Sequence, residues 1–154
     1  MKKILLSAIV IISVMFIASC ATTGGTSGET GPAPQNSTEQ ELKAVYDRYG
    51  TDLILTGAGN YTVKSGDTLA AIAKDQYKNG FLYPVIMLAS KNVVLDPDKI
   101  EPGMRLTIPD LQRNLNDARA KSNIKNYLLE IVSVEEKRNR KDTADGIRKE
   151  ANSL

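Results

Sequence analysis

Two stretches decide the reading of this chain: Tyr61-Thr62-Val63-Lys64-Ser65-Gly66-Asp67-Thr68-Leu69 and Ile100-Glu101-Pro102-Gly103-Met104-Arg105-Leu106-Thr107-Ile108-Pro109. Each holds a short alternating run, Tyr61 to Lys64 and Met104 to Ile108, of the kind a half-buried strand requires. The first strand leads into Ser65-Gly66-Asp67-Thr68, a turn ending on helix-capping residues. Gly66 supplies permissive backbone, and Asp67 or Thr68 offers an oxygen to the first amides of a helix. Leu69, Ile72, Ala73 and Tyr77 then mark one helical face, and Asn79-Gly80 ends it. Leu82, Val85, Ile86 and Ala89 predict a second helix over 81–90, with Pro84 in its first turn. Asp96-Pro97-Asp98 and Pro102-Gly103 are turn sequences, and Pro109 closes the second strand. The predicted unit is α+β: a βααβ module with a two-stranded antiparallel sheet over 61–109.

Both flanks carry helical patterns. Leu42, Val45, Tyr46 and Tyr49 predict a short amphipathic helix over 38–49, capped by Ser37 or Thr38 and stopped at Gly50. The connector to residue 60 contains Leu53-Ile54-Leu55, which reads as a short strand or extended stretch. Beyond Pro109, Leu111, Leu115, Ala118 and Ser122 form a thin stripe, and Leu128, Leu129, Ile131, Val132 and Val134 a richer one. They predict a long helix from about 111 to 138, broken near Ser122-Asn123, and a weaker one near 143–151. Asp110 is placed to cap the first of these. The stripe in 110–154 needs a partner. A core of some fifty residues is marginal alone, so packing back onto the module or the 38–49 helix is expected, with a separate protein as the other possible partner.

The N-terminus reads as an address. Met1-Lys2-Lys3 is a basic n-region, Ile4 to Ile17 an apolar run, and Ala18-Ser19-Cys20 a small-residue cleavage point. This is the layout of a signal peptide over 1–19; the run falls short of the roughly 20 apolar residues of a membrane span. Residues 20–37 are dominated by Gly, Pro, Ser and Thr and read as a disordered tether.

Composition removes several functions. There is no His, which excludes a Ser-His or Cys-His nucleophile pair and a His-based metal site. One Cys excludes an internal disulfide framework. Of 20 basic residues, Lys2 and Lys3 lie in the n-region, so the remainder balances the 18 acidic ones. A neutral mature chain is poorly suited to nucleic acid. The carboxylates sit mostly in turns and helical charge patterns, which argues against a glycosidase pair. No enzyme activity, cofactor or metal is expected.

The two opening stretches, in this order and at this separation, resemble the two ends of a LysM domain. The intervening Leu82-Tyr83-Pro84-Val85-Ile86 and Asp96-Pro97-Asp98-Lys99-Ile100 resemble the longer-loop variant found beside some bacterial envelope and BON-type domains. Ala70 stands where many members carry an aromatic, and Ser90 where many carry Asn. The resemblance implies non-catalytic binding of N-acetylglucosamine-containing glycans, which for a bacterium means peptidoglycan. It implies a shallow groove with one wall at Gly66, Asp67, Thr68 and Leu69. The other wall would be Val93, Val94, Leu95 and Asp96 with Ile100, Glu101, Pro102 and Gly103. Tyr83 is expected to cover the core. Ile17-Ala18-Ser19-Cys20 is similar to a bacterial lipobox, which implies acylation of Cys20 and anchoring in a lipid bilayer. Acyl chains contribute roughly 0.8 kcal/mol per buried CH₂. With Ala21 following Cys20, the outer membrane facing the periplasm is the expected site. The expected function is a lipoprotein linking membrane and cell wall. The alternative is an envelope scaffold whose LysM fold and helical flanks bind a protein partner.

Overall fold

The computed structural model describes residues 34–154, with side chains from Ser37 onward. The signal peptide, Cys20 and most of the tether lie outside the described residues.

Helix α1 spans Pro34–Tyr49 and starts four residues before the expected 38. Proline suits a first helical position, because the amide it lacks has no intrahelical acceptor there. Leu42, Val45 and Tyr46 are its buried stripe. Leu53-Ile54-Leu55 forms no strand, and Leu53 is extended, the other form expected for this stretch. A short 3₁₀ turn over Gly50–Asp52 precedes it, and Ile54 is held by a side chain instead. Asn114 Oδ1 accepts from Ile54 N at 2.9 Å, and Asn114 Nδ2 donates to Ile54 O at 2.9 Å. A buried asparagine amide thus imitates a neighbouring strand.

The central module follows the expected order. Strand β1 (Gly59–Thr62) pairs antiparallel with β2 (Arg105–Ile108), with Tyr61 opposite Leu106 and Thr62 opposite Arg105. Helix α2 (Leu69–Tyr77) is capped by Thr68, whose Oγ1 accepts from Ala71 N at 3.1 Å. It ends on Lys78 in the left-handed region, φ 62°, rather than on Asn79-Gly80. Asn79 and Gly80 instead serve the next element, a 3₁₀ turn over Gly80–Leu82 capped by the Asn79 side chain. A Cβ on Gly80 would lie 3.1 Å from Ala70 O, so glycine lets this turn press against α2. Helix α3 (Tyr83–Ala89) is buried from Tyr83 to Leu88. Ser90 ties it to the sheet: its Oγ accepts from Thr107 N at 2.9 Å and lies 3.4 Å from Thr107 O.

The C-terminal region forms three helices, α4 (Leu111–Asn116), α5 (Ala118–Lys137) and α6 (Lys141–Ser153). The break falls at Asp117, not at Ser122-Asn123. Asp117 is extended, and its carboxylate caps α5 by accepting from Ala120 N at 2.8 Å. Asn123 stays within the helix and donates to Tyr49 O at 2.8 Å, satisfying a carbonyl at the end of α1. Between α5 and α6, Asn139 takes a left-handed turn, φ 58°.

These helices fold back. Helix α5 packs against α1, α3 and α6, and Ile124, Tyr127, Leu128, Ile131 and Ile147 join Val85, Ile86 and Leu106 in one continuous core. Tyr127 is the central link: it is fully buried and its hydroxyl donates to Pro84 O at 2.8 Å. Its ring lies 6.2 Å from that of Tyr46 and 5.9 Å from that of Tyr49, both tilted. The apolar stripe of the tail is therefore spent inside the chain. Among the described residues, no helix is long and apolar enough to cross a membrane.

Candidate functional site

The loop after β1 is a built turn. Asp67 N donates to Lys64 O at 3.2 Å, and Gly66 sits at φ +86°, in the region that favours glycine. Asp67 Oδ2 accepts from Lys64 N and from the Tyr61 hydroxyl, both at 2.8 Å. These two bonds hold the Asp67 carboxyl below the usual aspartate range, the Lys64 amide contributing most. Asp67 is thus the organiser of the turn, while Thr68 caps α2 and Leu69 drops into the core at 4% exposure.

The second turn lies beside the first. Gly103, at φ +95°, donates to Val63 O at 2.9 Å, and Val63 N donates to Met104 O at 2.9 Å. Nothing lies within 4 Å of a Cβ placed on Gly66 or Gly103, so both face open space. Pro102 is exposed and Ile100 half-buried.

The loop after α3 is less uniform than its sequence. Val94 is a core residue at 4% exposure, whereas Val93 points out at 47% and Leu95 is half-buried. Burial removes Val94 as a ligand surface and leaves Val93 as the apolar residue of this pair open to contact. Asp96 is committed internally. Its Oδ1 accepts from Asp98 N at 3.0 Å, capping a 3₁₀ turn over Pro97–Lys99, and from Arg138 Nη2 at 2.9 Å. Burial alone pushes its carboxyl up, but the Asp98 amide and Arg138 outweigh burial and hold it below the usual range. Asp96 therefore fixes the loop rather than presenting a free carboxylate.

Beside the first turn of α2 lies a cleft of about 390 Å³, within the range of small-ligand sites. Thr68, Leu69, Ala70, Ala71 and Lys74 form one side, and Pro97 and Asp98 the other. Gly80, Phe81 and Tyr83 also line it, and the residues following α5 add Arg140 and Thr143. Of the expected groove residues, Thr68 and Leu69 line this cleft. Gly66, Asp67, Val93, Leu95, Ile100, Pro102 and Gly103 surround or shape the loops without lining it. Ala70 leaves the cleft open where a larger side chain would stand. Phe81, 43% exposed, supplies an aromatic ring to the lining. Its ring rests on α6, where a Cβ on Gly146 would come within 2.2 Å of Phe81 Cε1.

Phe81, Lys74, Arg140 and Thr143 were not legible as site residues. Phe81 follows Asn79-Gly80 as a lone aromatic in a turn, a weak signal. Arg140 and Thr143 reach the cleft from some seventy residues away in sequence, which no local pattern reports.

Behind the cleft an ionic cluster joins the loop after α3 to the tail. Arg138 Nη2 bonds Asp96 and, at 2.5 Å, Asp98, and Arg140 also bonds Asp98. Beneath them Glu135 is 1% exposed, with Arg138 Nη1 at 3.7 Å and Arg140 Nη1 at 3.6 Å. Burial raises the Glu135 carboxyl above its ordinary range, only partly offset by the two guanidinium groups. No cluster of three or more Cys, Asp or Glu suited to a metal occurs among the described residues.

Comparison with known proteins matches residues 61–109 to the LysM domain. The potassium binding protein Kbp of Escherichia coli O6:H1 is 46% identical over 69 residues, covering 45% of this chain and 46% of that protein. An uncharacterized protein of Deinococcus radiodurans is 44% identical over 54 residues, 35% of this chain and 21% of its own length. The chain thus spans less than half of either relative. No solved structure matches it. Residues 61–109 are a LysM domain, its βααβ unit built around the antiparallel pair β1–β2.

Proposed function

We propose that this protein is a non-catalytic peptidoglycan-binding protein of the bacterial envelope, tethered to a bilayer through acylated Cys20. The observation that carries the reading is the cleft. It opens between the first turn of α2 and the Pro97-Asp98 loop of a LysM domain, and it pairs an apolar floor with one exposed aromatic ring. An acetylated amino sugar needs such a floor for its methyl group, an aromatic or aliphatic face for its ring, and backbone amides for its acetamido oxygen. A single shallow site binds short glycans weakly. A polymeric target and a membrane tether raise the effective affinity by avidity.

Sedimentation with purified sacculi tests the reading. The protein is expected to co-pellet, and Ala70→Trp, which fills the cleft from an exposed helical position, to reduce the pelleted fraction several-fold while the circular dichroism spectrum is retained. Absence of pelleting at every salt concentration would overturn it. The tether is tested separately: Cys20→Ser is expected to shift the protein from the membrane fraction to the soluble one. The identity with Kbp supports a second reading, binding of potassium. Titration calorimetry with KCl against NaCl decides that one, and equal heats for both ions exclude it.

A further inference from the structure

We infer that the cleft prefers glycans that carry a carboxylate over neutral N-acetylglucosamine oligomers. The inference rests on the glycan reading above and names its ligand more closely. Three features of the cleft share a sign. Lys74, on α2, is exposed at its rim and has no ion pair among the described residues. Arg140, brought in by the turn after α5, also lines the cleft, paired there with Asp98. The first turn of α2, a helix of nine residues, contributes Leu69, Ala70 and Ala71 to the same lining. Thr68 Oγ1 takes the Ala71 amide, and the Leu69 and Ala70 amides have no acceptor one turn back, so this end of the helix attracts negative charge. Against these stands Asp98, the carboxylate of the cleft lining, which is already held by Arg138 and Arg140.

The cluster behind the cleft explains why the charge is fixed in place. Arg140 N donates to Glu135 O at 2.9 Å, and its guanidinium is braced by Asp98 and Glu135. The tail therefore does more than cover the core: it adds Arg140 to the lining, where Asp98 and Glu135 balance its charge, and so leaves Lys74 as the cation of the cleft with no ion pair among the described residues. A neutral chitin-type oligomer leaves Lys74 without a counter-charge. A murein glycan brings one, either on the lactyl ether of its second sugar or on the peptide stem attached there.

Titration by NMR or calorimetry with three ligands of equal sugar length tests this. They are chitotetraose, the stem-free tetrasaccharide of alternating N-acetylglucosamine and N-acetylmuramic acid, and the same tetrasaccharide bearing its peptide stems. At low salt, one or both carboxylate-bearing ligands are expected to bind at least threefold tighter than chitotetraose, and which one does so identifies the lactyl group or the stem as the source. The ratio is expected to shrink at high salt. It is also expected to fall in Lys74→Gln, an exposed position where folding is not at risk, and to be kept in Lys74→Arg. Equal affinity for all three ligands, or an undiminished ratio in Lys74→Gln, overturns the preference and leaves the glycan reading standing. Binding of none of the three overturns the glycan reading itself.

Discussion

Removing the Tyr127 hydroxyl is expected to destabilise the LysM sheet and the C-terminal helices together. In Tyr127→Phe the ring stays between Tyr46 and Tyr49, and only the 2.8 Å bond to Pro84 O is lost. A buried hydrogen bond of this kind contributes about 1 to 1.5 kcal/mol. In Tyr127→Ala the ring goes too, leaving a cavity where α1, α3 and α5 meet. Truncation of a buried aromatic costs about 3 to 5 kcal/mol. Against a total stability of about 5 to 15 kcal/mol, the second variant stands near the edge of folding. For a domain of this size each kcal/mol moves the midpoint by roughly 3 to 6 °C. Thermal or urea unfolding followed by circular dichroism, with NMR of β1 and β2 in parallel, reads both. Leu129→Ala, at an exposed position of the same helix, serves as the control and is expected to stay within about 0.5 kcal/mol. The reasoning fails if Tyr127→Phe melts with the wild type. It also fails if Tyr127→Ala loses α5 and α6 in a separate early transition while the sheet resonances remain native, because the tail would then be an appendage rather than part of one cooperative core.

Asn114→Leu keeps the volume but strips three hydrogen bonds, two to Ile54 and one to Asp110 O, and is expected to cost about 2 to 4 kcal/mol in urea unfolding. Glu135→Gln is expected to flatten the pH dependence of stability. A carboxyl whose folded pKa is raised favours the folded state while protonated. Its penalty is absent below the ordinary glutamate range and grows as pH rises through the raised value. Urea midpoints of the variant and wild type should therefore diverge toward neutral pH in the variant's favour; a constant offset would refute this. On the acid side, the depressed carboxyls of Asp67 and Asp96 contribute stability that is lost as pH falls through their folded pKa values. Gly146→Ala forces Phe81 off α6, since the new Cβ would meet its ring at 2.2 Å. The gain in helix propensity, about 1 kcal/mol, offsets part of the lost packing, so melting is expected to change by less than about 2 kcal/mol. Sacculus pelleting is expected to fall more clearly, because the aromatic face of the cleft has moved.

Much of the fold was legible because it is written in short-range chemistry. The Asp67 turn and the helix cap, which falls to Thr68 of the two candidates, are satisfied within a few residues. The alternating runs and the stripes of α2 and α3 carry a period visible locally, although β1 lies at Gly59–Thr62, two residues before the expected run, and pairs with the distant β2. The turn glycines Gly66 and Gly103 belong to the same class, since a left-handed φ is a local demand. Where competing local signals were close in strength, tertiary contacts chose. Asn123 was read as a helix break, yet it remains helical because the end of α1 supplies a carbonyl for its amide. Leu53-Ile54-Leu55 was read as a short strand or an extended stretch, and Asn114, 60 residues from Ile54, rules out the strand by taking the hydrogen bonds of Ile54.

By itself, then, the order of residues determined a βααβ module and its helical flanks. It did so because periodicity and turn chemistry act over a turn or two of chain. Only the tertiary structure decided that the tail closes over α1 and α3, that Val94 and Asp96 are spent on the core and on Arg138, and that Phe81 and Arg140 complete the cleft. Those outcomes depend on contacts between residues tens of positions apart, where apolar area and buried charge must be matched across elements. No window of sequence contains both partners of such a contact.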